Sequence, residues 1–304
     1  MAMLSRVADA LFWMGRYLER AEHVARVLEV TRAVLIDIHE VDPETAKSQW
    51  QGALASLSLP DTPTEKLLYD QSEPTSLVCN ISRARENARQ VREVISSEMW
   101  EHLNQAYWLI HEAHTKGVHE SQLSQALTAV VSASFQWDGV VDGTLSRDTG
   151  WLFLKIGKFV ERLAGTSRLV SVRAEGPPRG GAVSSENVHW LALLRSLCAS
   201  EAYKKIHPQR VDRKMVLDFL IFDSAFPRSI RYAANEAADF AKRCAEIHGA
   251  RGKNVERAFG KLASDLEYAD VSAVTGAGTT EFLQELLVDL GEASGLLQRS
   301  YFLQ

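Results

Sequence analysis

A charged segment at residues 15–28, GRYLERAEHVARVL, carries the residue types that acid–base chemistry and anion binding require. A carboxylate at Glu19 could transfer a proton, while guanidinium groups at Arg16 and Arg20 could hold an anionic substrate. Spacings of three and four residues also predict three local pairs: Arg16 with Glu19, Glu19 with His23, and Glu22 with Arg26. A buried ion-pair lock between helices is the alternative interpretation, and both stay open. The candidate residues of this segment are Arg16, Glu19, Arg20, Glu22, His23 and Arg26.

The same pattern returns 142 positions later, in residues 157–170, GKFVERLAGTSRLV. Glu22 and His23 have no counterpart there, since Ala164 and Gly165 occupy the matching positions. Apolar neighbours indicate that the repeated Glu-Arg pair is at least partly buried. If the protein has one functional site rather than two, we expect it on the side of the first segment. The retained candidates are Glu161, Arg162 and Arg168.

A second group of cations lies in residues 81–104, ISRARENARQVREVISSEMWEHLN. On a helix, Arg85, Arg89 and Arg92 share one face, which could hold a phosphate or carboxylate through bidentate guanidinium contacts. A solvated face paired with neighbouring glutamates is the alternative. The candidates in this segment are Arg83, Arg85, Glu86, Asn87 and Arg89.

Two proline-containing segments, each followed by a serine, are typical of helix starts: Pro74 before Ser76, and Pro227 before Ser229. Backbone N–H groups at a helix N-terminus can bind an anion. Arg228 adds a cationic donor in the second segment only. Arg228 and Ser229 therefore join the candidate binding residues.

Recognised catalytic motifs are missing, since the sequence has no GxSxG, Walker A, GxGxxG or HExxH pattern. Cys79, Cys198 and Cys244 form no CxxC pair, and we predict no metal site and no cofactor. These dispersed cysteines, together with an N-terminus that does not read as a signal peptide, predict a cytoplasmic location. A net charge of −5 argues against nucleic-acid binding, and the apolar stretches are too short or too polar to span a membrane.

Helices must position these residues, because apolar side chains recur at spacings of three and four along almost the whole chain. Sustained strand-type alternation is absent, as are Asn-Gly and Asp-Gly hairpin turns. Turn residues predict gaps at 175–187, 248–254 and 275–280. Besides a first helix through 11–28, helices are predicted near 48–58, 75–97, 99–115, 120–140, 150–172, 187–201, 212–222, 228–248, 253–267 and 279–301.

Two blocks recur in the same order: residues 11–28 match 153–170, and residues 67–79 match 220–232. We interpret this recurrence as an internal duplication. The sequence therefore predicts an all-α fold, a helical bundle built from two duplicated multi-helix halves related by a pseudo-twofold. A single domain over 1–304 would contain repeats at about 4–116 and 145–304, joined by the helical segment 117–144.

Four segments in order carry a family resemblance: MLSRVADALFWMGRYLERAEHVARVLEV, ARENARQVREVISSEMWEHLN, GWLFLKIGKFVERLAGTSRLV and FLIFDSAFPRSIRYAANEA. Together they resemble the bacterial alpha-E family, a helical domain of unknown function. The resemblance implies that the protein is encoded beside, or fused to, a circularly permuted ATP-grasp protein. It also implies that a transglutaminase-like protease, and sometimes the proteasome-like peptidase Anbu, is encoded nearby. ATP-grasp enzymes join a carboxylate to an amine through an acyl-phosphate. The resemblance therefore implies a role in peptide synthesis or tagging.

Three functional hypotheses follow. In the first, the protein is a non-catalytic partner of the ATP-grasp ligase and holds its peptide or amino-acid substrate. In the second, it is an enzyme of the same system that uses Glu19 as acid or base beside an arginine-rich pocket. In the third, it has a structural role, including formation of a homo-oligomer.

Overall fold

The protein is helical throughout the part of the chain that its computed structural model describes, residues 5–38, 42–59, 62–115, 120–176 and 183–303. No strand occurs within these ranges, which confirms the predicted all-α class. No helix in them is long and apolar enough to cross a bilayer. The helices are α1 (Ser5–Ile38), α2 (Pro43–Ser56), α3 (Thr64–Tyr69), α4 (Leu77–Gln90), α5 (Ser97–Thr115), α6 (Glu120–Thr144), α7 (Thr149–Ala174), α8 (Val183–Ser196), α9 (Ser200–Ile206), α10 (Arg213–Phe222), α11 (Ile230–His248), α12 (Lys253–Glu267), α13 (Val271–Thr275) and α14 (Thr279–Tyr301), with a short 3-10 helix (Gly249–Arg251) between α11 and α12.

Most predicted helices match the observed ones to within a few residues, but two of them run past the end of the observed helix. The helix predicted over 75–97 corresponds to α4 but ends earlier, at Gln90, because residues 91–94 form a turn before α5 begins at Ser97. The hydroxyl of Ser96 accepts a hydrogen bond from the backbone N–H of Met99 at 3.1 Å, and this contact caps α5. The helix predicted over 187–201 is divided into α8 and α9 next to Cys198, whose φ of 53° is left-handed.

The sequence does not predict α3 and α13, because helices this short offer too few turns for a periodicity to show. The predicted linker at 175–187 is only partly described: residues 177–182 lie outside the described ranges, and α8 begins at Val183. The predicted gaps at 248–254 and 275–280 coincide with the 3-10 helix and with the break between α13 and α14.

α1 and α7 cross with their backbones in direct contact. A β-carbon placed on Gly15 would overlap the carbonyl oxygen of Leu154, and one placed on Gly157 would overlap the carbonyl oxygen of Phe12. Phe12 and Leu154 each precede their glycine by three residues, so the contact is reciprocal. Close approach of the two helices therefore explains why glycine recurs at this position in spite of its cost in a helix, about 1 kcal/mol relative to alanine.

Two groups of helices surround this crossing. α4 and α6 pack on α1, and α5 packs on both of them. In the second group, α11 and α14 pack on α7, and α12 packs on α11 and α14. α2 and α8 each contact both α1 and α7. One continuous hydrophobic core runs through the whole arrangement. The predicted join at 117–144 contains α6, which packs on α1 as α14 packs on α7; the duplication itself stays an interpretation of the sequence.

The segments before α4 and α11 make matching contacts. The Ser76 hydroxyl donates to the carbonyl oxygen of Asp70 and caps α4, and the Ser229 hydroxyl donates to the carbonyl oxygen of Asp223 and caps α11. Ser229 is fully buried. Its hydroxyl is therefore engaged at the helix start, and a role of Ser229 in anion binding stays a prediction.

Candidate functional site

Most of the residues singled out from the sequence come together where α1 crosses α7. They form two ionic clusters, one on each side of the crossing. In both, a glutamate from one central helix binds an arginine from the other. The residues brought together are Arg16, Glu19, Arg20, Glu22, His23, Arg26, Glu161, Arg162, Arg168 and Arg228.

The first cluster consists of Glu19, Glu22, Arg26, Arg162 and Arg228. Arg162 donates two hydrogen bonds to Glu19, from Nε to Oε1 at 2.6 Å and from Nη2 to Oε2 at 2.9 Å. Arg228 binds Glu22 in the same two-pronged manner, at 2.6 and 3.0 Å, and Arg26, one turn further along α1, also donates to Glu22. All five residues are buried. The two carboxylates are thus surrounded by three guanidinium groups.

The geometry of the first cluster keeps both of its carboxylates ionised. Burial alone would raise the pKa of Glu19, but the positive charges of Arg162 and Arg228 bring that pKa below its ordinary value. Burial likewise opposes the charge of Glu22, and Arg228 and Arg26 overcome it and hold the pKa of Glu22 far below the usual range. A carboxylate in this state is a poor proton donor at neutral pH, so the contacts of Glu19 are those of an ion-pair lock.

The second cluster consists of Glu161, Arg16, Arg20 and Arg168. Arg20 donates to both carboxylate oxygens of Glu161, at 2.6 and 2.8 Å, and Arg16 donates from Nε at 2.8 Å. Burial opposes the charge of Glu161, but the guanidinium groups of Arg16 and Arg20 lower its pKa to about 2. Arg16 also lies over the ring of Trp13, 4.7 Å from its centroid.

The two clusters exchange partners across the crossing. Glu19 of α1 binds Arg162 of α7, and Glu161 of α7 binds Arg20 of α1. The glutamate and the arginine that are adjacent in the sequence therefore do not bind each other; each binds a residue of the opposite helix. Of the three local pairs expected from helical spacing, that of Glu22 with Arg26 is present. Arg16 binds Glu161 rather than Glu19, and the carboxylate of Glu19 binds Arg162 rather than His23.

His23 lies between the two clusters. Its ring packs on Gly165 of α7, within 3.4 Å of where a β-carbon would be. Burial is the main reason that the pKa of His23 falls to about 4, so the imidazole is neutral at pH 7. No hydrogen-bond partner for its buried Nε2 exists in the described part of the chain. Beside it opens a cavity of about 200 Å³, lined by His23, Arg20, Thr75 and Arg168 among others.

The arginine-rich helix α4 is separate from these clusters. Arg85 donates to the side-chain oxygen of Asn104 at 2.6 Å, and Arg89 pairs with Glu86 on the exposed surface. Asn87 lies half-buried on the same helix. Arg83 connects α4 with α1, because its guanidinium group lies 5.8 Å from the ring centroid of Tyr17. The cations predicted on this helix therefore do not join the Glu-Arg residues in one pocket.

Several residues of the site give little signal in the sequence. Lys158 donates to Asp138 of α6 at 2.5 Å beside the first cluster, and only its alignment with Arg16 could have indicated a role. Arg173 is buried and binds the side chain and backbone of Gln49, and burial lowers its pKa to about 10. A single arginine among apolar neighbours does not reveal such a partner.

The clusters contain arginine and glutamate rather than a metal-binding set. In the described ranges, no group of three or more histidine, cysteine, aspartate or glutamate side chains is arranged to hold a metal ion. Guanidinium groups do not ligate cations, and they neutralise the carboxylates that would. The chemistry that the second cluster supports is recognition of negative charge.

Comparison with known proteins identifies the family. Uncharacterized proteins from Mycobacterium bovis and Mycobacterium tuberculosis are 26% identical to the chain over 259 residues. That match covers 75% of this chain but only 28% of each mycobacterial protein, so the chain spans a minor part of their length. No solved structure matches the chain. Residues 3–302 match Alpha-E, described as a predicted alpha-helical domain with a conserved ER motif, and the chain therefore belongs to the Alpha-E family.

Proposed function

We propose that this Alpha-E protein is a non-catalytic partner subunit of an ATP-grasp peptide ligase system and binds the ligase through the outer face of α4 and α5. The observation that carries the proposal is a row of alternating arginine and aromatic side chains on this face. The class of partner comes from the family resemblance. The dispersed cysteines favour a reducing compartment, and we propose that the complex forms in the cytoplasm.

The row begins at Arg92, which lies 5.0 Å from the ring centroid of Trp100. Arg85 lies between Trp100 and Tyr107, at 5.4 and 4.6 Å from their ring centroids. Trp108 follows and is 51% exposed. Arginine, tryptophan and tyrosine are the residue types that dominate the binding energy of protein interfaces. Stacking holds these side chains in place before a partner arrives, which lowers the entropic cost of binding.

The lengths of the relatives support a partner role. In the mycobacterial proteins, the matched region is 28% of a longer chain, so an Alpha-E unit there is covalently attached to other sequence. A unit that occurs attached to other sequence is suited to contact a neighbour. We propose that the Alpha-E unit of this protein makes an equivalent contact with the ligase.

The contacts of Glu19 favour a binding role over catalysis. Acid–base catalysis by a carboxyl group needs a pKa near the working pH and a proton within reach of the substrate. Arg162 and Arg228 stabilise the charged form of Glu19, and Arg162 occupies both of its oxygen atoms. We therefore assign the Glu-Arg pairs to the stability of the fold in this proposal.

Binding to an ATP-grasp ligase from the same organism tests the proposal. We expect a complex with a micromolar Kd in calorimetry. Trp108→Ala should weaken it by about 30-fold or more, which corresponds to the loss of a hot-spot side chain worth about 2 kcal/mol. Tyr268→Ala is the matched control, because Tyr268 is 81% exposed and lies beyond α12, and its removal should leave the Kd unchanged.

Two outcomes would contradict the proposal: no complex at about 100 µM protein, which excludes a micromolar Kd, or equal affinity of both variants. The transglutaminase-like protease is the second partner proposed, and the same titration with that protein measures it. A mass measurement on the chain alone separates these complexes from a homo-oligomer.

A further inference from the structure

The two ionic clusters differ at one decisive position. In the first cluster, the carboxylate of Glu22 stands one helical turn before Arg26 and binds it. In the second, the matching positions are Ala164 and Arg168, so the arginine is kept and its carboxylate is missing. Ala164 is buried, so a methyl group stands inside the protein where the first cluster has a carboxylate.

Arg168 lacks the partner that its position calls for. Among residues that the structure describes, its guanidinium group takes part in no hydrogen bond and no salt bridge, although the side chain is half-buried. Burial lowers the pKa of Arg168, the charge of Glu161 opposes this, and Arg20 and Arg16 add to the lowering. Arg228 of the first cluster shows the reverse, because Glu22 and Glu19 outweigh its burial and raise its pKa.

The charges of the second cluster do not balance. Arg16, Arg20 and Arg168 carry three positive charges, and Glu161 carries the single negative charge among them. Both oxygens of Glu161 already accept hydrogen bonds from Arg20, and one of them also accepts from Arg16. A further anion would give the half-buried guanidinium of Arg168 the partner that no described residue supplies.

Space for that anion is present at the same place. The cavity of about 200 Å³ is lined by Arg168, Arg20, His23, Ser56 and Thr75 among others, and Glu161, whose oxygens are held by Arg16 and Arg20, also reaches it. One water occupies about 30 Å³, so the cavity holds a group of several non-hydrogen atoms. His23 belongs to this lining, and its buried Nε2 has no hydrogen-bond partner among the described residues. A neutral imidazole with its proton on Nε2 would donate a hydrogen bond to an anion in the cavity.

We propose that this cavity is a binding site for the carboxylate group of a small ligand, which takes the place that Glu22 fills in the first cluster. Arg168 binds the two carboxylate oxygens, and His23 supplies a further donor. A carboxylate is favoured over a phosphate because the matching position in this chain holds a carboxylate between guanidinium groups. The site does not depend on the proposed contact with an ATP-grasp protein, since it lies within the chain itself.

Calorimetric titration of the full chain tests the site with a matched pair of probes. N-acetylglycine carries a free carboxylate and no ammonium group, and N-acetylglycinamide is nearly the same molecule without the charge. We expect a Kd of about 1 mM or below for the acid and no measurable binding of the amide. Equal binding of the two, or no binding of the acid at about 10 mM, would overturn the proposal. Tighter binding of inorganic phosphate than of the acid would overturn the assignment to a carboxylate.

Three variants connect the binding to the cavity. Ala164→Glu places a carboxylate one turn before Arg168, as Glu22 stands before Arg26, and it should abolish binding of N-acetylglycine while raising the Tm. Arg168→Gln removes the charge and should weaken binding about tenfold or more. Arg89→Gln changes an exposed arginine of α4 and should have no effect. If Ala164→Glu does not fold, Arg168→Gln decides: unchanged affinity in that variant would contradict the proposal.

Discussion

At the scale of single residues, the Glu-Arg pairs are best understood as a specific lock. Removing one member of a buried pair leaves the other charge without a partner, and this commonly costs about 3–5 kcal/mol. Replacing both members by apolar residues can cost much less, so such pairs contribute more to specificity than to stability. Glu19 and Glu161 bind only when α1 and α7 cross in one register, and the lock thereby selects that register.

The lowered pKa of Glu161 predicts a defined loss of stability in acid. Its value of about 2 in the folded protein lies below the ordinary value of 4.5. The unfolded chain therefore binds the proton first, so the contribution of Glu161 is complete above pH 4.5 and is lost as the pH falls toward 2. The shift corresponds to about 3 kcal/mol. Urea unfolding of the wild type between pH 7 and pH 2.5 should show this loss.

Glu161→Gln is the control for this prediction, because the amide does not titrate. The difference in the free energy of unfolding between wild type and variant should be largest at pH 7 and should shrink below pH 4.5. A constant difference across this range would show that Glu161 has no abnormal pKa. His23 acts in a separate window: its pKa of about 4 is also lowered, from 6.5, so its contribution disappears between pH 6.5 and pH 4.

At the scale of helices, the crossing of α1 and α7 depends on the absence of side chains at two positions. Gly15→Ala or Gly157→Ala would force a methyl group into the carbonyl oxygen of the opposite helix. Because the obstacle is backbone, it cannot rotate away. We expect each variant to lose about 2–4 kcal/mol of unfolding free energy, in spite of the better helix propensity of alanine. Thermal and urea denaturation measure the loss.

Gly139→Ala in α6 and Gly291→Ala in α14 are matched controls. No atom lies within 4 Å of a β-carbon built at either position. Both substitutions should stabilise the protein by up to about 1 kcal/mol, since alanine is the better helix former. If Gly15→Ala behaved like these controls, the close contact of the two backbones would be refuted.

The sequence predicts the helices better than it predicts their contacts. The apolar faces repeat every three or four residues, so the pattern predicts most helices with nearly correct limits. The short helices α3 and α13 and the turn before α5 give too little periodicity to be predicted. The repeated Glu-Arg pattern also singles out most of the ionic residues that meet at the crossing, but it is accompanied by arginines of α4 that lie apart from them. It does not predict their partners, because spacing along one helix identifies neighbours within that helix alone. Glu19 and Arg162 are 143 positions apart, and only the crossing joins them.

At the scale of the whole molecule, the central crossing couples the two groups of helices. Each group uses a central helix as part of its own core, and the two central helices share a buried ionic and backbone contact. Unfolding of one group would expose the charges and apolar face of the other. We therefore predict a single cooperative unit, in agreement with the single domain expected from the sequence.

Urea unfolding followed by two probes measures this cooperativity. Circular dichroism reports all helices, and fluorescence reports buried tryptophans in both groups, such as Trp137 in α6 and Trp151 in α7. The two transitions should coincide, and Gly157→Ala should lower both midpoints equally. Two separated transitions in the wild type would show that the groups are independent domains.

The reciprocal crossing also restricts how asymmetry can arise. A chain that carried only one such helix could make this contact only with a second molecule, as a symmetric dimer in which both sides have the same sequence. In such a dimer, exchanging a glutamate for alanine would change both clusters at once. With both helices in one chain, each side can be altered separately. One side can therefore keep Glu22 and its ion pairs, while the other side, with Ala164, can lose a carboxylate and take on a different function.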